Sequence, residues 1–310
     1  MSLCVGYQAR RREFLQALGG AMLAGAILQE GKVGAVPSTT TRRLRKAVKW
    51  SMVAGDGSVQ EKFQMLREVG FEGVDMDRPA DVDEVIRAQR ETGLIVHGVV
   101  DYVHWNQPLS DPDPAVRAAG VEGLKRALHD CKAYGGTTVL LVPAVVTKQV
   151  RYDDAYRRSQ EEIRKVLPLA EQLQIKILFE NVWNNFLLSP LEFARYIDEF
   201  SSPWVGAYFD VGNIVRYGWP EHWIHILGAR IGKLDIKEYS RKLAEEQGVR
   251  KGFQAEIGEG DDGCDWPAVL QALRDINYSG WATAEVRGGG RERLLDISRR
   301  MDRIFAGYEA

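Results

Sequence analysis

A chain of 310 residues, 45% hydrophobic and 27% charged, can bury the core of one large α/β barrel or of two average domains. A formal net charge of −2 leaves no basic surface to attract nucleic acid. The eight Trp and eleven Tyr suit carbohydrate faces and plain protein cores alike.

The first 35 residues read as a targeting segment. Arg11-Arg12-Glu13-Phe14-Leu15 precedes a small-residue apolar stretch, Ala17 to Leu28, as in a twin-arginine export signal. The stretch is too short and too glycine-rich to span a membrane, and Val33-Gly34-Ala35 offers a small-x-small cleavage site. The expectation is a signal at 1–35, a linker at 36–46, a barrel at 47–310, a periplasmic address and no stable membrane insertion once the signal is removed. Cys131 and Cys264 lack CxxC spacing and read as incidental.

From residue 47 onward, short apolar runs alternate with amphipathic helices. Ala47–Val53 predicts strand one, and Val59–Val69 its helix, closed by Gly70. Gly73–Asp77 and Leu94–Val100 are strands on either side of the helix Val82–Thr92, which Gly93 stops. Tyr102–Pro112 is long for a connection and holds His104, Trp105 and Asn106, the composition of a substrate-binding lid. Asp113 caps a helix with Pro114 at its first position. Strand four is Thr138–Val142, and the next helix runs from about Asp154 to Leu173. Strand five is Ile177–Phe179, and Ser189-Pro190 opens the helix after it. Strands six, seven and eight are Val205–Phe209, Ile231–Leu234 and Trp281–Ala284. Ser240–Gly263 reads as a polar surface excursion, and the last helix presents Leu294, Ile297, Met301 and Ile304 inward. Eight strand–helix units over this length predict a single (β/α)₈ TIM barrel. A doubly wound sheet lacks its glycine-rich turn, Gly55-Asp56-Gly57 being a weak substitute.

Strands five to eight each run into an acid: Glu180, Asp210, Asp235 and Glu285. Barrel strands lie about 4.8 Å apart, so these carboxylates crowd one another at the C-terminal rim. A divalent cation relieves the repulsion, and oxygen ligands suit Mg²⁺ or Mn²⁺, with Co²⁺ admissible. Any one such acid alone reads equally as a helix cap or ion-pair partner. Asp75 and Asp101 also end strands and stand as structural or substrate acids. His97, within an apolar strand, reads as a core histidine; His222 and His225 read as a packed helix face, and His129 as solvated.

The motifs Glu180-Asn181-Val182-Trp183-Asn184-Asn185, Phe209-Asp210-Val211-Gly212-Asn213, Lys233-Leu234-Asp235-Ile236-Lys237 and Ala284-Glu285-Val286 resemble the sugar phosphate isomerase/epimerase family, whose fold is a xylose isomerase-like barrel. Its ketose 3-epimerase members imply a metal, Mn²⁺ first, held at Glu180, Asp210, Asp235 and Glu285, with Glu180 and Glu285 also the acid/base pair. The pattern departs from the family where Asp235 replaces a histidine and where Asn213 occupies a position that is often histidine. His104, Trp105, Trp183, Asn213, Lys237 and Arg287 are the expected substrate contacts; Lys237 and Arg287 read equally as salt-bridge partners of the rim. Three functions follow in order: a sugar isomerase or epimerase, a 3-oxo-glycoside lyase or deglycosidase on the same site, and an exported sugar-binding barrel without catalysis. The partner is a small sugar rather than nucleic acid, and a homo-oligomer is compatible.

Overall fold

A helix that crosses back over a sheet returns the chain in its starting direction, so each short apolar run can pair only in parallel with the one before it. The computed structural model describes residues 43–260 and 262–308. Within them lie β1 (Leu44–Lys49), β2 (Gly73–Met76), β3 (Ile95–Val100), β4 (Thr138–Leu141), β5 (Lys176–Glu180), β6 (Val205–Asp210), β7 (Ile231–Ile236) and β8 (Gly280–Ala284). They form one closed parallel barrel in sequence order, with β8 pairing back onto β1. The expected export signal lies outside the described residues.

The connecting helices are α1 (Val59–Glu68), α2 (Val82–Thr92), α3 (Pro114–Tyr134), α4 (Tyr152–Leu173), α5 (Pro190–Asp198), α6 (Val211–Ile214), α7 (Pro220–Leu227), α8 (Arg241–Gln247), α9 (Trp266–Asp275) and α10 (Arg291–Phe305). Their ends follow local chemistry. Ser58 and Glu61 form a reciprocal capping box on α1. Asp113 accepts from the Ala115 amide ahead of Pro114, and Ser189 from that of Glu192 ahead of Pro190. Gly93 (φ 69°) and Gly135 (φ 82°) supply the left-handed residues that end α2 and α3.

Two boundaries differ from expectation. β1 starts at Leu44, three residues before Ala47, and Trp50–Met52 form a 3₁₀ turn rather than more strand. Arg45 and Lys46 look polar in sequence but are used by the strand. Arg45 stacks 3.8 Å from the Trp281 ring, and Lys46 reaches Ser298 and Asp302 on α10. Ser240–Gly263 is more than a surface excursion, since α8 and a 3₁₀ segment (Val249–Gln254) lie within it and Ser240, Gly252 and Ile257 are buried. Buried Glu238 gathers this segment. Its carboxylate accepts from the amides of Gly258 and Cys264 and from the Trp266 indole. In α10, Leu294, Ile297 and Met301 are buried, and Ile304 is partly so.

The main apolar core lies between sheet and helices. Inside the barrel the apolar filling shrinks to Leu140, Leu178 and Tyr208, with Val100 against them. The rest of the interior is charged or polar: Lys49, Asp75, His97, Lys233, Asp235 and Thr283 are all buried.

Candidate metal centre and active site

β5, β6 and β7 deliver Glu180, Asp210 and Asp235 to the C-terminal rim, and Glu285 follows β8 directly. Register places Asp210 beside Asp235. Each of the four acids offers one oxygen, and these oxygens all lie within 4.8 Å of one another. The first three are buried and Glu285 is partly exposed. Asp210 doubles as the cap of α6, accepting from the Asn213 amide.

Two lysines reach the same acids. Lys237 Nζ lies 2.9 Å from Asp210 and 2.8 Å from Glu285. Lys49 Nζ lies 3.0 Å from both Asp75 and Asp235. Below Asp75 a polar column continues down the barrel. The Tyr208 hydroxyl donates to Asp75 and meets Thr283 at 2.9 Å; Thr283 meets His97 Nε2 at 3.3 Å, and His97 Nδ1 lies 2.7 Å from Lys233. The sequence reading missed this column. Its signal was Lys49 after the apolar pair Ala47-Val48 in β1 and Lys233 within the run Ile231–Leu234 of β7.

The acids are not neutralised evenly. Burial, then Glu285 and Asp235, push the Glu180 carboxyl well above the usual range. Burial does the same for Asp235 despite Lys49, and it raises Asp210 despite Lys237. Glu285 goes the other way. Burial works against its charge, yet Lys237 and Lys49 outweigh it and hold its carboxyl below the usual range. Asp235 Oδ1 is buried with no partner among the described residues, and Asp210 Oδ2, Asp235 Oδ2 and Glu285 Oε2 meet only the two lysine ammoniums, so four carboxylates share two positive charges. Such oxygens are costly unless a cation meets them. Oxygens on opposite sides of a divalent ion sit roughly 4.2 Å apart for Mg²⁺ and about 5 Å for Ca²⁺, so this cluster has the dimensions and donor chemistry of a hard-cation site.

The other anticipated contacts divide. Asn213 donates to the Asn181 carbonyl at 3.0 Å and lies 3.5 Å from Glu180, which places it at the cluster. Trp183 donates its indole N–H to the Asn213 carbonyl and packs 4.7 Å from Phe253, with Tyr239 at 5.5 Å, making an aromatic wall beside Lys237. Lys237 is a salt-bridge partner of the rim acids. Arg287 is exposed and makes no ion pair among the described residues, so it is not drawn to the acids as expected.

The Tyr102–Pro112 segment is fastened rather than loose. Ser110 both accepts from and donates to the backbone of Val145, and buried His104 accepts the Val142 amide at Nδ1. Burial brings the His104 imidazole down to about 3, so it is neutral and carries its proton on Nε2. Trp105 packs edge-on against it and is 51% exposed. Asp101, at the end of β3, is pushed up to about 6 by burial. His97 is a satisfied core residue, stacked on Trp281.

A family model for the xylose isomerase-like TIM barrel matches residues 63–304. L-ribulose-5-phosphate 3-epimerase UlaE of Escherichia coli O1:K1 is 26% identical over 167 residues, half of this chain, and the chain spans 59% of that relative's length. Among solved structures, 3-keto-D-glucoside 4-epimerase YcjR from E. coli superposes with a TM-score of 0.69 at 18% identity, covering 84% of this chain and 99% of the other. D-psicose 3-epimerase from Clostridium cellulolyticum H10 gives 0.69 at 15% identity, covering 86% and 100%. At those identities the two structures show a shared fold.

Proposed function

This chain belongs to the xylose isomerase-like TIM barrel family, and on that premise we propose that it is a metal-dependent sugar epimerase or isomerase. The observation that carries the reading is the convergence of Glu180, Asp210, Asp235 and Glu285 at one mouth of the barrel. These four residues are the proposed ligands of one divalent cation, Mn²⁺ first and Mg²⁺ or Co²⁺ next. When bound, such an ion polarises a carbonyl and its neighbouring hydroxyl as a Lewis acid.

The chain's own residues supply the rest. Glu180 and Glu285 come from strands three steps apart around the ring, so a sugar carbon can sit between their carboxyls. One removes the proton alpha to the carbonyl, and the other returns a proton to the opposite face or the neighbouring carbon. Asn213 steadies Glu180. Trp183 and Phe253 offer a flat apolar face of the kind sugar rings stack on. Neutral His104 can donate from Nε2, and Trp105 borders the mouth. The paired Arg11-Arg12 supports an exported, periplasmic protein, and with it a free or glycosidic sugar rather than a phosphorylated one.

A second substrate class is favoured by one resemblance. A structural neighbour is named for a 3-keto-D-glucoside, and proton removal beside a 3-oxo group can also expel an aglycone, giving a lyase outcome. The deciding experiment is turnover of free ketoses and 3-oxo-glycosides by the Mn²⁺-loaded protein in heavy water, followed by proton NMR. Deuterium at the carbon alpha to the carbonyl is expected. Turnover that leaves every product carbon unlabelled under slow-exchange controls would mean hydride transfer and defeat the two-glutamate assignment.

A further inference from the structure

Lys237 does more than balance charge at the rim. Its ammonium lies 2.9 Å from Asp210 and 2.8 Å from Glu285, so it spans one acid at the end of β6 and another just after β8. Close packing puts it there. A Cβ built on Gly212 would come within 2.8 Å of the Lys237 carbonyl and 2.9 Å of its Cβ, so a glycine is what lets the chain after β7 lie against α6.

The two aspartates are not committed alike. Both Asp210 oxygens are in use, because Oδ1 accepts the Asn213 amide at 2.8 Å and Oδ2 meets Lys237. Asp235 meets Lys49 through Oδ2 at 3.0 Å, while its Oδ1 has no partner among the described residues. Asp235 can therefore take a cation and keep its lysine. An ion joining Asp210 Oδ2 to Glu285 Oε2 would approach each to about 2.1 Å, and so stand within about 5 Å of the ammonium that touches the same acids. Like charges that close inside a barrel repel strongly. The lysines differ in their room to respond. Lys49 is 3% exposed and clamped between Asp75 and Asp235. The Lys237 side chain is 18% exposed, and Asn213 Oδ1 at 3.5 Å and the Phe253 ring at 5.5 Å stand beside it as other neighbours.

On the metal-dependent reading above, we propose that Lys237 is a positioning residue that trades places with the cation. Its ammonium holds Asp210 and Glu285 until a divalent ion takes their oxygens. It then turns to the Asn213 and Phe253 side of the mouth, where the oxygens of a sugar would meet it. Lys49 stays where it is.

The test is acetylation of the full chain by acetic anhydride, read by peptide mass spectrometry with and without saturating Mn²⁺, beside isothermal titration of chelator-stripped protein with Mn²⁺. Lys237 should be acetylated several-fold faster once Mn²⁺ is bound, with Lys49 protected in both states. Lys237→Met should bind Mn²⁺ about tenfold more tightly, because the ion no longer breaks two charge-assisted contacts. Lys237→Arg, which keeps the charge, should restore the wild-type affinity. Mn²⁺ binding that leaves Lys237 labelling unchanged or lowers it overturns the proposal and leaves the metal site standing, because the lysine then stays on the acids. Uptake by Lys237→Met but not by wild type upholds the exchange, with the lysine winning it. Uptake by neither defeats the exchange and the metal site together.

Discussion

The same strands make an acidic end and a basic end. β5 opens with Lys176 and closes with Glu180, and β7 carries Lys233 two residues before Asp235. Residues two or four apart on a strand face the same side at different heights, so these pairs separate charge along the barrel axis. Between them Leu140, Leu178 and Tyr208 form the apolar plug, and the column from Lys49 to Lys233 threads past it. Acids gather where the chemistry of this fold occurs, and four carboxylates against two lysines leave a negative surplus that asks for a cation. Bases gather toward the opposite end, where the fold is ordinarily inert.

The largest break in that comparison is at the acids themselves. Glu180→Gln and Glu285→Gln keep an oxygen for a cation but remove the proton carrier. Each should cost turnover about 10²–10⁴-fold, the usual worth of general acid–base catalysis. Metal affinity, measured by titration, should fall far less. Comparable losses in both would make the glutamates ligands only.

Next comes the join between the two ends. Asp75→Asn removes the charge that Lys49 and Tyr208 share. Lys49 keeps Asp235 at 3.0 Å, so what is lost is hydrogen bonding to a charged group, about 1.5–3 kcal/mol, and urea unfolding should show a loss of that order. A change below about 1 kcal/mol would mean that the column tolerates rearrangement and does not fix the interior.

The sign of the rim's charge can be read from pH. Glu180, Asp210 and Asp235 have raised values in the fold, whereas unfolded carboxyls titrate near about 4. Raised folded values contribute stability that is fully present below about pH 4 and is lost as pH climbs through them. Metal-free protein should therefore lose stability as pH rises above about 4. A divalent cation at a fixed concentration, about 100 times its Kd at the lower pH, should return about 2.7 kcal/mol there, and more at the higher pH, where deprotonated carboxylates bind it more tightly. Identical melting profiles with and without Mn²⁺ across that range would sink the metal site.

Much of this was legible in the chain. Short apolar runs, caps such as Asp113-Pro114, and four strand-ending acids were enough for the barrel and its rim. What escaped was decided by partners far away in sequence. Lys233 has no assigned role in the strand-seven run until His97, from β3, is found against it. Arg45 reads as linker until Trp281 lies under it. Arg287, two residues past Glu285, stays exposed, whereas Lys237, two residues past Asp235, is folded in among the acids. Local pattern specifies which strand ends in an acid, whereas closure of the ring decides which cation meets it.

The smallest expected effect lies at the edge of the mouth. Trp105 is half exposed, but its neighbour His104 is locked by the Val142 amide, so the indole is offered from a fixed base. Stacking a sugar face on such a ring is worth about 0.5–1.5 kcal/mol. It is felt alike in the bound substrate and in the transition state, because the ring touches no reacting atom. Uniform binding of that kind changes KM and leaves kcat alone. Trp105→Ala should thus raise KM about two- to tenfold with kcat held. His104→Ala offers the contrast, because it frees the Val142 amide and loosens the whole segment, so kcat should fall with it. If Trp105→Ala lowered kcat and left KM untouched, the ring would be shaping the reacting geometry, and the mouth would have to be redrawn with Trp105 inside the site.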